Sequence, residues 1–432
     1  MPERFDAIVV GAGLAGLAAA YTMARQGMTV AVMERGDYPG SKQAMGGILD
    51  RRATAEVFPE FWQHAPLERP IVAQHLWVLG GESIAVGTQS PACWTQPPYH
   101  AFGMLPGHFN AWLAQQVAEA GGLIVHHAPV LHLLRDGRGQ VIGVRVNRPE
   151  GELLSDLVIL ADGANALLGE RMELHPRRRT DEMLMTVYEV LAPPGSLAGR
   201  TRWIEQRFGL RPAQGMAIEM FGSLTPALRG NALLYTNTET IAFSVSARIS
   251  DLLANQLNPH ALLQAVKTHP RIAPLLAECA PCAYSAHLQP AGGRTKMLPP
   301  LYGAGVLLAG DAAGLGRGLH RDGAQLALLT GKLAGQTALA AHTKGDFSRA
   351  TLAAYEAKVR QSGVPKDLRQ YSRLTDYLEK HHQLFSHYPE TLNALAAEYF
   401  AEEEAPKRGK LGKVWKLAGG QLRPAIELWK IV

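Results

Sequence analysis

One short run, FDAIVVGAGLAGLAAA from Phe5 to Ala20, restricts this chain more than any other. Phe5–Val10 has the length and apolar content of a buried strand, and Leu14–Gln26 is built from helix formers. Three glycines, Gly11, Gly13 and Gly16, stand at the join, and Met28–Met33 reads as a second strand. The pattern is a strand–helix–strand unit. Gly11 permits the tight turn, Gly13 lets backbone approach a pyrophosphate, and Gly16 lets helix and strand pack closely, while the helix N-terminus favours phosphate charge. Glu34 ends the second strand, 18 residues after Gly16. A carboxylate there accepts hydrogen bonds from a ribose diol. Glu34 and its neighbour Arg35 therefore join the glycines as candidate cofactor-binding residues, and the N-terminus reads as a dinucleotide site.

Two further motifs narrow the dinucleotide. Val158–Asn165 is a strand ending in Asp162-Gly163, and Gly305–Gly314 is a strand ending in Gly310-Asp311. This set, in this order and spacing, resembles the para-hydroxybenzoate-hydroxylase-type FAD proteins. The resemblance implies FAD, with Asp311 hydrogen-bonded to the ribityl chain. It also implies that the helix beginning near Gly323 points its N-terminus at the flavin pyrimidine, where its dipole favours negative charge on reduced flavin. No second strand–GxGxxG–helix unit is visible, so a dedicated NAD(P)H domain is not expected.

Several stretches outside these motifs resemble a narrower family. VMERGDYPGSKQAMGG, LLYTNTETIAFSV, HPRIAPLL, YSAHLQPAGG and MLPPLYGAGVLLAGDAAG are similar to the FixC flavoproteins, relatives of the electron-transfer-flavoprotein:quinone oxidoreductases. Geranylgeranyl reductases are more distant cousins on the same fold. The resemblance spans nearly the whole chain. It implies an FAD-dependent oxidoreductase passing electrons between flavin and a partner: an electron-transfer flavoprotein, a ferredoxin-like protein, a quinone or a small substrate. A flavin-dependent monooxygenase or dehydrogenase, and a non-catalytic flavin-binding assembly subunit, stand as alternatives.

The implied architecture is α/β. A Rossmann-type FAD-binding domain is assembled from residues 1–80, 105–175 and 285–345. An antiparallel-sheet substrate domain is inserted from 81–104 and 176–284, and residues 346–432 form a helical C-terminal region with a basic tail. The chain departs from the family twice. Where the family carries an arginine, at the start of a helix expected near Phe109, it has Leu105-Pro106-Gly107-His108. The loop after Gly310-Asp311 is shorter and carries His320, Arg321 and Asp322 before the long helix. His320 is a candidate proton donor or acceptor. Arg321 is a candidate to hold an anionic group or to favour reduced flavin, and Asp322 suits a helix N-cap.

Charge and cysteine content exclude other classes. Between Ala405 and Val432 seven Lys/Arg face one acid, Glu427, while the remainder carries 36 basic against 37 acidic residues. The excess of +5 thus belongs to the tail, and the body offers no nucleic-acid footprint. Lys407–Val432 interleaves Lys with Trp415, Trp429 and several Leu. That pattern suits either peripheral contact with anionic lipid or a helix docked on the body. Gly419-Gly420 and Pro424 interrupt it. Cys93, Cys279 and Cys282 are too few for a disulfide framework, and no secretory leader is evident, so a cytoplasmic location is expected. Cys279 and Cys282 have redox-pair spacing but read as ordinary thiols, and no metal site is expected. The segment Tyr284, His287, Gln289 is a strand that leads back toward the FAD domain and is a candidate to line the site.

Overall fold

The computed structural model describes residues 3–42, 46–80, 84–225, 228–291, 300–315, 323–381 and 387–400. The chain divides into two units. One holds residues 1–68, 100–183 and 285–369, and the other holds 69–99, 184–284 and 370–432.

The first unit is built on an eight-stranded sheet. Its main path runs Tyr302–Gly303, Val306–Leu308, Glu152–Leu160, Glu3–Val10, Val30–Met33, Leu123–Val125. All neighbours but the first pair are parallel. Parallel strands covered on both faces read as continuous apolar runs. Ala7–Val10, Val30–Met33 and Leu157–Leu160 are such runs, and all are buried. Their registers coincide: Leu308 lies opposite Leu160, Leu160 opposite Val10, Val10 opposite Met33, and Met33 opposite Val125. Five strands therefore stop on one line. Two strands antiparallel to one another, Val130–Arg135 and Val141–Val146, extend this sheet through Glu152–Leu160.

Helix Leu14–Ala24 packs on this sheet and against the long helix Gly323–Lys344. The contact is made of small residues. A Cβ on Gly331 would lie 2.1 Å from the Ala15 carbonyl, and one on Gly335 would lie 2.7 Å from Thr22 Cβ and 2.9 Å from the Ala19 carbonyl. Gly331 thus meets Ala15, and Gly335 meets residues one turn further along, so the two helices run parallel. The eight residues from Gly323 to Gly331 carry the long helix about 12 Å beyond the level of Ala15, at 1.5 Å per residue. Gln325 in that overhang donates from Nε2 to the Ile48 carbonyl at 3.3 Å, on a short strand, Gly47–Asp50, paired with Ala101–Met104.

The second unit carries a seven-stranded sheet in the order Ala280–Pro290, Met183–Ala192, Ile241–Arg248, Arg229–Thr236, Gly215–Ser223, Ile71–Leu79, Ile84–Gln89. From Met183–Ala192 to Ile84–Gln89 its neighbours are antiparallel, except that Gly215–Ser223 and Ile71–Leu79 run parallel. One face buries Trp77, Leu79, Val187, Leu191, Phe243 and Val245 beneath helices Leu197–Arg207 and Pro259–Lys267. Arg69 anchors this unit from within. Its Nε donates to the Asn237 carbonyl at 2.7 Å, and its Nη1 donates to Glu205 Oε1 at 3.0 Å and to the Gln214 carbonyl at 2.9 Å.

The boundaries differ from those the sequence implies. The first crossing falls at residue 68 rather than 80, because Ile71–Leu79 pairs with Gly215–Ser223, a partner over a hundred residues away. The helical stretch after 346 is divided: Arg349–Gln361 stays with the first unit, and the described residues from 370 to 400 go with the second. The helix expected near Phe109 begins at Pro106, since proline at a first helical position has the right φ and loses no bond.

Filling the helix contact should cost stability. Gly331→Val should destabilise the protein by at least the 1–3 kcal/mol typical of overpacking, read as a lowered denaturant midpoint. Gly137→Ala, in an exposed turn where a Cβ meets no atom within 4 Å, should change the midpoint little.

Candidate functional site

The line where five strands stop is where the motifs collect. Gly11 N donates to the Met33 carbonyl at 2.9 Å, Ala161 N to the Val10 carbonyl at 2.9 Å, Ala309 N to the Leu160 carbonyl at 2.9 Å, and Glu34 N to the Val125 carbonyl at 2.8 Å. Each strand thus hands over to its loop at the same height. In open α/β sheets, ligands bind at these carboxyl ends.

The three glycines of the loop differ in what stands beside them. Gly11 has φ +103°, and a Cβ on it would lie 2.3 Å from the Ala161 carbonyl, so the first loop touches the loop that carries Asp162. A Cβ on Gly16 would lie 1.9 Å from the Gly11 carbonyl. Gly13 is the opposite case: a Cβ there meets nothing within 4 Å. The helix that follows has Gly13 as its N-cap, with no side chain capping its N–H groups and no acid in its first turn. An open volume in front of uncapped N–H groups is what an anionic group requires.

Glu34 is already fixed. Its Oε2 accepts from Ala12 N at 3.0 Å and its Oε1 from Gly36 N at 2.6 Å. Arg35 follows it and faces His287, whose ring is held below its ordinary value by burial and by that charge.

Asp162 and Asp311 end the neighbouring strands Glu152–Leu160 and Val306–Leu308. Gly163 has φ +79° and open space beside it. Gly310 has φ +63°, its notional Cβ lies 2.8 Å from Ala15 Cβ, and its N–H donates to Thr330 Oγ1 at 3.0 Å. The turn Gly310–Ala313 is thereby pinned to both helices. Burial pushes the Asp311 carboxyl up to about 6, against the opposite pull of Arg178. Burial also raises the Asp162 carboxyl, against main-chain N–H groups, Arg178 and His175, and its Oδ1 has no partner. Two carboxylates held uncomfortably at the ends of adjacent strands mark a place built for something other than stability.

Two features escape the sequence reading. Arg178, the middle of Arg177-Arg178-Arg179, turns inward onto both carboxylate loops. Tyr355 is fully buried and donates to the Leu308 carbonyl at 2.8 Å, holding the end of the last parallel strand. Three arginines in succession, Arg177-Arg178-Arg179, are the available signal for the first; nothing in the sequence marks the second. Gly323 begins the long helix, with open space at its Cα. His320, Arg321, Asp322 and the basic tail lie outside the described residues. His108 is exposed near the start of its helix.

The cysteines do not form a reactive pair. Burial pushes the Cys279 thiol up to about 11 and also raises that of Cys282, whose Sγ donates to the Val190 carbonyl at 3.2 Å. All three cysteines are free. Among the described residues no cluster of three metal-ligating side chains occurs, and no helix is long and apolar enough to cross a membrane.

Known proteins fit this geometry. The FAD binding domain family matches residues 6–50, the span from the first strand through Glu34 and Arg35. FixC of Azotobacter vinelandii is 37% identical over the whole of both chains. FixC of Bradyrhizobium diazoefficiens is 37% identical, with 94% of this chain and 92% of its own length covered. This chain belongs to the FixC family. It is an FAD-dependent oxidoreductase, and the open volume at Gly13, the uncapped helix and the unpartnered Asp162 Oδ1 fit that cofactor. FixC of Escherichia coli K12 is also similar, at 36% identity over 92% of this chain and 91% of its own. Two solved structures share the fold. One is a geranylgeranyl bacteriochlorophyll reductase-like protein of Thermoplasma acidophilum (TM-score 0.74, 18% identity, all of both chains). The other is a flavin-dependent brominase (TM-score 0.66, 13% identity, 98% and 97% covered).

The raised Asp311 carboxyl has a consequence for this FixC-type protein without its cofactor. The folded state holds the proton more tightly than the unfolded chain, so stability falls as pH rises from about 4 to about 6. Asp311→Asn should leave apoprotein stability nearly unchanged near pH 4. It should raise stability by up to about 2–3 kcal/mol above pH 7, as measured by urea unfolding.

Proposed function

We propose that this protein passes electrons between its FAD and a second redox carrier: an electron-transfer flavoprotein, a ferredoxin-like protein or a quinone. The observation that carries this reading is the near full-length similarity to FixC. A supporting one is that the described residues hold one dinucleotide-binding unit, the strand–GxGxxG–helix of residues 3–24, and no second for a nicotinamide donor. The bound flavin supplies a two-electron store that can be emptied one electron at a time.

The chain's own residues take these roles. N–H groups at the start of helix Leu14–Ala24 hold the pyrophosphate across Gly13. Glu34, kept in place by Ala12 and Gly36, accepts from the adenosine ribose, with Arg35 beside it. Asp162-Gly163 and Gly310-Asp311 line the chain that leads to the flavin ring, and the long helix from Gly323 turns its positive end toward the ring. The free thiols agree with a reducing, cytoplasmic setting.

The deciding experiment is anaerobic reduction of the purified yellow protein by separate donors. Reduced electron-transfer flavoprotein should bleach the flavin at a rate that supports turnover, while NADPH alone should do so only slowly. Rapid reduction by NADPH as sole donor would sink the proposal. A second reading, a flavin-dependent monooxygenase or dehydrogenase, draws on the altered loop after Gly310-Asp311, which carries His320, Arg321 and Asp322. Oxygen-dependent product formation would favour it.

The glycine roles are separable. Gly13→Val should leave apoprotein melting close to wild type, since its side chain enters open space, yet weaken FAD binding at least about ten-fold, a cost of about 1.4 kcal/mol. Gly11→Val should damage folding itself, because its Cβ meets the Ala161 carbonyl.

A further inference from the structure

Arg178 lies in the segment between helix Leu167–Arg171 and the turn Thr180–Glu182. Its neighbours in sequence are spent on the surface: Arg177 is exposed, and Arg179 pairs with Asp181. Arg178 alone of the three turns inward, and its acceptors belong to two different loops. Its Nη1 donates to the Ala164 carbonyl at 2.6 Å, in the loop after Asp162-Gly163. Its Nη2 donates to the Asp311 carbonyl at 2.7 Å and the Ala312 carbonyl at 2.8 Å, in the turn after Gly310.

Those loops leave the carboxyl ends of adjacent parallel strands, where no ladder hydrogen bond remains to fix their separation. One planar guanidinium does so instead. Its fork reaches three carbonyls at fixed angles, which a lysine ammonium on a flexible stem does not reproduce. The charge matters as well. Burial lowers the Arg178 pKa, while Asp311, Asp162 and Glu182 raise it, in that order. A guanidinium remains protonated throughout.

We propose that Arg178 is a positioning residue of the flavin site: it fixes the Asp162 loop and the Asp311 turn at one separation, and it supplies the positive charge facing their carboxylates, so that it governs both FAD affinity and flavin reduction potential. A positive charge near an electron acceptor favours the reduced form, and in a partly desolvated site it is weakly screened. Removal leaves three carbonyls without their donor and takes away the positive charge that favours both carboxylates. The inference concerns the FAD site alone and stands whichever electron partner the protein uses.

The test compares full-length Arg178→Met, Arg178→Lys and the exposed control Arg177→Met. Three readouts are needed: FAD affinity of the apoprotein by flavin fluorescence, midpoint potential of the bound flavin by anaerobic dye titration, and apoprotein melting. Arg178→Met should bind FAD at least about ten-fold more weakly, and its bound flavin should have a more negative potential than wild type. Arg178→Lys, which keeps the charge but not the fork, should bind FAD more weakly with a potential close to wild type. Arg177→Met should change neither. Wild-type affinity and potential in Arg178→Met, even with lowered melting, would reduce Arg178 to a structural clamp and overturn the proposal. An equal shift of potential in Arg177→Met would overturn it as well. If Arg178→Met does not fold, Arg178→Lys decides: wild-type affinity there ends the claim for the fork.

Discussion

The parallel contact between helices Leu14–Ala24 and Gly323–Lys344 is the constraint on which the rest of the FAD unit depends. It exists because Gly331 and Gly335 bring bare backbone against Ala15 and Ala19. Small residues allow backbones to approach closely at the cost of conformational entropy on folding. The return for that cost is geometric. With the helices locked side by side, the turn Gly310–Ala313 has a single resting place, against Ala15 on one side and Thr330 on the other. The overhanging end of the long helix is then held beside strand Gly47–Asp50.

The sheet beneath follows from a second requirement. Strands covered on both faces must be apolar throughout, and their loops must leave from one edge if they are to meet on one ligand. Buried carboxylates at that edge oppose folding, as expected where a site is kept ready for a partner rather than for stability. The balance is local: Arg178 offsets part of the cost at Asp162 and Asp311, while Glu34 is satisfied by main-chain N–H groups.

Much of this was legible in the amino-acid order. The Gly11, Gly13 and Gly16 triplet stands where a strand gives way to a helix, and Glu34, Asp162-Gly163 and Gly310-Asp311 stand where strands give way to loops. The first strand ends at Val10 and its helix begins at Leu14, where the reading of the glycine loop puts both. The edge of the second unit was not, because the pairing of Ile71–Leu79 with Gly215–Ser223 is a long-range choice that no local pattern encodes. Nor was Arg178. Three consecutive arginines look alike in sequence, and only the path of the chain after Arg171 decides which one faces inward. Nor does anything near Gly331 and Gly335 mark the helix they meet, about three hundred residues earlier.

The discontinuous order of the site also bears on how the molecule is made. The glycine loop emerges first, at residues 11–16, and the Asp162 loop follows about 150 residues later. The strand Val306–Leu308, the Asp311 turn and the long helix are synthesised only after the whole of 184–284. Chains emerge at about 5–20 residues per second and fold N-terminal parts first. Val158–Leu160 therefore lacks its neighbour on one side until Val306–Leu308 arrives, while Glu152–Leu154 on that side already pairs with Val141–Val146. The complete FAD site thus exists only once the last parallel strand is in place, and until then the short unpaired edge at Val158–Leu160 is open to mispairing.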